Sequence, residues 1–302
     1  MTPVLERRAR LDGWAVALML LLCLLWGIQQ VGTKVAAQQG LPPLVQASAR
    51  SIGASILVLS WVWLTAGGTA ARAMLQVDRS FGPGLLIGAV FTAEFILLFE
   101  GVTRTTASHA TLLLYTAPFW TALGAHVWIP GESLSRRQAI GLVCAFVGVA
   151  VAAGSGGGNW AGDAMVMGGA LLWGVVNVLI RCSTGLRGQA PARVLLYQLG
   201  PSAVLLLLLS VATEAWVNVA DATRLAWGAL AYQTFVVAFA SYLTWFWLMT
   251  RYQVSRLSAF TVVTPLFGIV AGGVLLHEAL PLGLYAGFAL VAAGLRLVNT
   301  LR

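Results

Sequence analysis

The side chains most able to do chemistry are polar groups inside long apolar stretches. Glu94 lies within VFTAEFILLFEG, and Gln30 and Asn177 lie in similarly apolar surroundings. Such groups are costly against lipid, so they mark binding sites and ion pathways, or they join helices by hydrogen bonds. We expect Glu94 to hold a cationic group of a cargo or to carry a proton. A purely structural hydrogen bond is the alternative.

Two polar stripes at helical spacing accompany Glu94. Trp26, Gln30 and Lys34 are four residues apart and therefore share one helix face. Aromatic rings gathered around a cavity would favour apolar, aromatic or cationic cargo, although single buried rings are usually packing. The second stripe is Trp173, Asn177 and Arg181. The predicted substrate-binding residues are Trp26, Gln30, Lys34, Glu94, Tyr115, Trp120, Trp173, Asn177 and Tyr242.

Motifs of enzymes are missing from the sequence. HEALP, at 277–281, has Pro where a zinc protease needs its second His. GSGGGNWAGD, at 154–163, lacks the Lys-Ser/Thr of a phosphate-binding loop. The three cysteines show no metal spacing. We therefore predict no catalytic residues, no metal and no cofactor.

Composition indicates that the elements holding these side chains are membrane helices. Hydrophobic residues make up 59% of 302 positions and charged residues only 9%, whereas soluble domains are near a quarter charged. The net charge of +8 comes from isolated basic residues in short gaps, which argues against nucleic-acid binding. Ten apolar segments can be drawn: 12–37, 43–66, 81–102, 105–128, 136–154, 160–181, 191–213, 224–250, 254–276 and 280–300.

The gaps between these segments differ in charge. If ten helices alternate, only Arg104 and Arg224 of the basic residues lie clearly in the gaps of the less basic side. Basic loops remain cytoplasmic, so both termini are predicted to face the cytoplasm. The strong preference for Arg over Lys suggests a bacterial chain, which would place the protein in the inner membrane.

The chain also repeats itself. Scarce residues recur 147 positions later, such as Lys34 at Arg181 and Pro118 at Pro265. We predict one membrane domain over 1–302, with repeats at about 12–154 and 160–300 and a linker at 155–159. Because each repeat holds five helices, the copies enter the membrane from opposite sides. The predicted fold is therefore all-α and integral to the membrane, with ten transmembrane helices as two inverted five-helix repeats around a central cavity.

One repeated phrase contains a Pro, a Glu and a Gly. Pro118 and Pro265 each interrupt an apolar segment and are predicted structural hinges. Inversion places Glu132 and Glu278 on opposite sides of the membrane, so they cannot share a site. We expect each to bind a helix N-terminus or a neighbouring arginine such as Arg136.

These motifs resemble the EamA-type members of the drug/metabolite transporter superfamily. The stretch LLWGIQQVGTKVAAQQGLPPLVQASAR is similar to their opening, and both Pro…Glu…Gly phrases are similar to the ends of their repeats. The tryptophan-rich interior is most similar to the bacterial exporters of aromatic and other amino acids, the YddG-like branch. One departure is Arg50, whose counterpart in the second copy is Tyr197, so its role is open between structure and substrate binding.

The resemblance implies ten helices, an inverted repeat and export of small metabolites. The expected function is a secondary exporter of amino acids or similar small metabolites, working in the lipid bilayer by alternating access. A proton is the candidate coupling ion, and facilitated transport without coupling is the alternative. The alternatives are the same fold carrying drugs, purines, nucleotide sugars or sugar phosphates, and, from another class, a membrane-embedded enzyme or a passive channel.

Overall fold

The computed structural model describes residues 12–129, 134–213, 216, 219–252, 257 and 260–298. Every regular element in these ranges is a helix. Within these ranges, seven helical stretches are long and apolar enough to cross a bilayer, when Arg224–Trp245 is counted as one, which makes the chain a multi-pass membrane protein. The α-helices are α1 (Gly13–Gln38), α2 (Pro43–Met74), α3 (Phe81–Arg104), α4 (Ala107–Leu114), α5 (Ala117–Trp128), α6 (Arg136–Gly154), α7 (Trp160–Cys182), α8 (Pro191–Ala212), α9 (Arg224–Ala231), α10 (Tyr242–Arg251), α11 (Thr264–Leu276) and α12 (Leu282–Val298).

The predicted segment 105–128 is two helices instead of one. The chain leaves helical geometry between α4 and α5, at Tyr115 and Thr116. Pro118 is the second residue of α5, and Pro265 is the second residue of α11. Proline is well tolerated at a helix start, because the first N–H groups have no partner within the helix. Both prolines therefore lie in the first turn of a helix; their action as hinges stays a prediction.

Three further segments differ from their predicted form. The helix predicted at 43–66 continues to Met74, with a kink at Gly67, whose φ is 86°. The segment 224–250 contains a π-helix, Tyr232–Ser241, between α9 and α10. Helices α11 and α12 are shorter than the seven spanning candidates, and 254–256 and 258–259 lie outside the described residues.

Glycines allow two close helix contacts that matter below. A Cβ added to Gly27 in α1 would lie 2.8 Å from Phe267 Cβ in α11. A Cβ added to Gly174 in α7 would lie 2.6 Å from Trp120 Cβ in α5. Both distances are too short for any residue with a side chain, so these glycines bring the helix backbones together.

Helices α6 and α12 meet in the same way. A Cβ at Gly148 would lie 2.7 Å from the Gly287 carbonyl oxygen, and a Cβ at Gly294 would meet the Gly141 carbonyl oxygen. Gly141 and Gly287 are the glycines of the two repeated phrases, so the phrase places its glycine in the α6–α12 contact in both copies.

Candidate functional site

A cavity of about 720 Å³ lies among the helices. It reaches Trp26 and Glu94, near the middles of α1 and α3, and extends to the end of the bundle where α6 begins and α7 ends. Leu134, Gln138 and Arg181 line that end, which we call the cavity mouth. The volume falls in the range usual for small-molecule sites.

The structure brings most of the predicted substrate-binding residues together in this cavity. They come from α1, α3, α7 and α10 and from the break between α4 and α5, so distant parts of the chain build one lining. The predicted residues that line it are Trp26, Gln30, Glu94, Tyr115, Trp173, Asn177 and Tyr242.

The polar groups of this lining have few protein partners. The Glu94 side chain is 3% exposed, and its Oε2 has no hydrogen-bond partner among the described residues. The same holds for Oε1 of Gln30. Asn177 makes one long hydrogen bond, from Nδ2 to Thr121 Oγ1 at 3.4 Å. Since buried polar groups are normally paired, these atoms are available to a molecule in the cavity.

Aromatic rings form much of the remaining wall. Trp26 donates its Nε1 hydrogen to Ser241 Oγ at 2.8 Å and meets Trp245 edge to face, with ring centroids 5.7 Å apart. These contacts hold the indole in place at the cavity, which Trp173 and Tyr242 also line. The wall can therefore stack against an apolar or aromatic group.

Two predicted substrate-binding residues, Lys34 and Trp120, are not among the residues that line this cavity. Lys34 is one turn beyond Gln30, and its Nζ donates to the Thr105 carbonyl and lies 3.7 Å from Glu278 Oε1. Trp120 packs edge to face on Phe146, with centroids 5.0 Å apart. Helical spacing placed both residues on interior faces, but neighbouring helices, not the cavity, cover them.

Lys34 belongs to a group of paired polar residues at the end opposite the mouth. Glu278 accepts hydrogen bonds from the backbone N–H groups of Ala107 and Ser108, at 2.6 and 2.9 Å, and from Ser108 Oγ at 2.7 Å. It thereby caps α4, where a carboxylate is favoured by the helix dipole. The expectation that Glu278 binds a helix N-terminus is confirmed; Glu132 lies outside the described residues.

A second set of contacts completes this end. Thr105 Oγ1 donates to Asp163 Oδ1 at 2.5 Å, and His109 Nδ1 lies 3.1 Å from Asp163 Oδ2. These bonds join the end of α3 and the start of α4 to the start of α7. We call the six residues involved the end cluster: Lys34, Thr105, Ser108, His109, Asp163 and Glu278.

At the mouth end, an ion pair ties the connection after α2 to α8. Arg193 Nη1 lies 2.7 Å from Asp78 Oδ2, and Arg193 Nη2 donates to the Gln76 carbonyl at 2.6 Å. The side chain and backbone N–H of Ser80 donate to Asp78 Oδ1, and together with Arg193 they lower the pKa of Asp78 to about 2.

Sequence reasoning missed several residues of the lining. Phe91, Phe95 and Leu98 lie at the cavity. Phe91 lies three residues before Glu94 and Leu98 four residues after it, so helical spacing from Glu94 could have revealed these two. Gln198 carried no such signal. Arg50, which the sequence left open, also lines the cavity.

The apolar helices and the cavity with its aromatic and polar lining are typical of a membrane protein that binds a small molecule. Residues 13–154 and 160–300 each match the EamA-like transporter family, so the chain belongs to that family, within the drug/metabolite transporter superfamily. It is a transporter and not an enzyme.

Individual relatives agree with this assignment. The chain is 30% identical to the "Uncharacterized transporter YvbV" of Bacillus subtilis, over 94% of this chain and 90% of that protein. It is 29% identical to a "Probable amino-acid metabolite efflux pump" of Salmonella typhimurium, over 95% of this chain and 94% of that protein.

The fold also has a solved counterpart. A structure described as "Crystal structure of protein" matches 94% of this chain and 97% of its own, with a TM-score of 0.62 at 19% identity. At that identity the likeness shows the fold alone.

Proposed function

We propose that this protein is a secondary exporter of amino acids, including aromatic and other neutral ones, or of similar small metabolites. The observation that carries the proposal is the cavity, where the buried carboxylate of Glu94 faces an aromatic wall without a protein partner for Oε2. A carboxylate in such a place suits the ammonium of a cargo or a coupling proton. Two relatives named as probable amino-acid metabolite efflux pumps support the choice of cargo.

Each lining residue then has a role. Glu94 binds the ammonium or carries the proton, and Gln30 and Asn177 donate or accept hydrogen bonds to the cargo. Trp26, Trp173 and Tyr242 contact its apolar part, while the backbone break beside Tyr115 lets the chain at Pro118 adjust between states.

The architecture that we propose has ten membrane-crossing helices in two inverted repeats, 12–154 and 160–300. The glycine contacts support it. Gly174 and Phe267 follow Gly27 and Trp120 by 147 positions, so the Gly27–Phe267 contact becomes the Gly174–Trp120 contact when the copies are exchanged. A contact that maps onto its own partner is the mark of a two-fold axis.

The α6–α12 contact behaves likewise. Gly287 and Gly294 follow Gly141 and Gly148 by 146 positions, so exchange of the copies turns the Gly148–Gly287 contact into the Gly294–Gly141 contact. The family match in two blocks, with the break at the proposed linker, supports the same division.

Transport in this proposal proceeds by alternating access. The cavity mouth is lined by Arg181 and lies where α6 begins with Arg136 and Arg137, so the basic-inside rule assigns it to the cytoplasm of a bacterial inner membrane. Both termini then face the cytoplasm, and the end cluster closes the outer side.

The test uses proteoliposomes and a panel of labelled amino acids in counterflow. We expect saturable exchange of neutral amino acids, with aromatic ones among them. If no member of the panel exchanges above empty liposomes, the amino-acid proposal is wrong. Phosphorylated cargo is disfavoured, because Lys34 is held by Glu278 outside the cavity and Arg50 shares the lining with the acidic Glu94.

A further inference from the structure

Arg50 is a buried charge that the proposed function does not use. Its side chain is 1% exposed, and it lines the cavity from α2 with its guanidinium 4.8 Å from the centroid of the Phe95 ring. Stacking on an aromatic face orients the planar group without using its hydrogen-bond donors.

Two nitrogen donors of the Arg50 guanidinium make no hydrogen bond to the described residues. Nε and Nη1 have no hydrogen-bond partner in the described part of the chain. Arg50 also forms no ion pair within 4.0 Å of a carboxylate oxygen there, including those of Glu94. A buried guanidinium without a partner is strongly unfavourable, so an arrangement of this kind points to a partner that comes from outside the protein.

The internal repeat indicates that Arg50 is not needed to join the two copies. The residue 147 positions after Arg50 is Tyr197, whose hydroxyl lies 2.7 Å from Ser80 Oγ, away from the cavity. Residues that build the contacts between the copies, such as Gly27 and Gly174, have matching mates. Arg50 has none, so the repeat does not require it.

The cavity thus holds two opposite charges with unused hydrogen-bonding atoms. Arg50 offers N–H groups, which match a carboxylate, and Glu94 offers an oxygen, which matches an ammonium. We propose that Arg50 binds the carboxylate of the cargo while Glu94 binds its ammonium, so the site selects zwitterionic α-amino acids over amines and over carboxylic acids. This inference rests on the proposed function and names the substrate class of its site.

The experiment compares three probes of nearly equal size. They are L-phenylalanine, its amide, which lacks the carboxylate, and 3-phenylpropanoate, which lacks the ammonium. In proteoliposomes we expect each of the last two to inhibit phenylalanine counterflow at least about tenfold more weakly than unlabelled phenylalanine, as the loss of one charge-assisted hydrogen bond implies.

Two variants test which residue causes each of the two preferences. Arg50→Gln should remove the preference for phenylalanine over its amide, and Glu94→Gln the preference over 3-phenylpropanoate. The matched control is Arg193→Gln, since Arg193 is also a buried arginine but is bound to Asp78 and Gln76 outside the cavity. It should keep both preferences whatever its effect on stability. If Arg50→Gln does not fold, Arg50→Lys serves, with a reduced preference over the amide expected.

The outcomes separate the two proposals. If the wild-type protein exchanges phenylalanine but treats the amide equally, the Arg50 inference is wrong and the amino-acid function stands. The inference is also wrong if Arg50→Gln or Arg50→Lys keeps the full preference over the amide, which would leave Arg50 and Glu94 as charges that only balance each other. If no probe or amino acid is exchanged, the proposed function itself fails.

Discussion

The end cluster and the cavity both bury a basic and an acidic residue, and they treat them differently. Lys34 and Glu278 lie 3.7 Å apart, and Glu278 also accepts two backbone N–H groups and a hydroxyl. Arg50 and Glu94 line one cavity, yet each retains side-chain atoms without a partner. Charges that bind each other hold helices together, whereas charged groups with unused hydrogen-bonding atoms at a cavity are available to a ligand.

This difference indicates which buried polar residues of an apolar chain are candidates for function. By residue type, Lys34 and Arg50 were equal candidates, and the sequence favoured Lys34 because it belongs to a repeated stripe. The hydrogen bonds in the structure instead favour Arg50 over Lys34 as a ligand-binding residue. A polar residue that the protein satisfies fully has no donors or acceptors left for cargo.

The largest effect should come from removing the acid of the end cluster. Glu278→Ala leaves Lys34 unpaired and α4 uncapped, and we expect a loss of roughly 3 kcal/mol of stability. Thermal unfolding in detergent measures it, with Glu100→Ala as the control, because Glu100 pairs with Arg104 in a partly exposed i,i+4 contact worth under about 1 kcal/mol. Equal losses of stability in Glu278→Ala and Glu100→Ala would contradict the expected difference between the two ion pairs. If Glu278→Ala does not fold, the apolar double variant Lys34→Met with Glu278→Met should, because it leaves neither charge buried.

The next effect concerns the acid of the cavity. Glu94→Gln should lower transport of neutral amino acids by about 10- to 100-fold, because an ionic hydrogen bond is worth about 1.5–3 kcal/mol. Its melting temperature should stay near the wild-type value, since Oε2 of Glu94 has no partner to lose. Counterflow at several pH values measures the effect, with Glu100→Gln in the same helix as the matched control. Normal transport with an unchanged pH profile would contradict the role of Glu94.

A smaller effect on stability is expected from the glycines that allow close contacts between helices. Gly27→Ala and Gly174→Ala each place a Cβ within 2.8 Å of another helix, so each should cost about 1–3 kcal/mol. Gly228→Ala in α9 meets nothing within 4 Å and should be neutral or stabilising. Thermal unfolding compares the three variants. A large effect in only one of the two mates would weaken the proposed symmetry.

The smallest effect belongs to a paired acid at the mouth end. The pKa of Asp78 is lowered to about 2 from an ordinary value of 3.8, so its contribution to stability is present above about pH 4 and is lost as the pH falls toward 2. Asp78→Asn should therefore melt slightly below the wild-type protein at pH 7, and the gap should shrink toward pH 3. A gap that is unchanged or larger at pH 3 would contradict this.

Much of the site was predictable because it depends on local periodicity. Trp26, Gln30, Trp173 and Asn177 were placed by four-residue spacing, and Glu94 by its apolar surroundings, and all of them line the cavity. The same reasoning failed for Lys34 and Trp120, because spacing identifies an inward face but not what covers it. Residue spacing also did not predict the break at Tyr115 or the π-helix at 232–241, because packing against neighbouring helices determines such backbone irregularities inside apolar segments.

Composition and residue order alone indicate that this chain is a membrane protein, that its scarce residues repeat at a fixed offset and that it resembles one transporter superfamily. These properties can be read without knowing any contact. Which buried charges are paired depends on contacts between distant parts of the chain. Glu278 accepts a hydrogen bond from the N–H of Ala107 across 171 positions of chain, while Arg50 forms no ion pair within 4.0 Å of an acid among the described residues. Such pairings follow from how whole helices pack, and the packing places both Arg50 and Glu94 in the lining of the cavity described above.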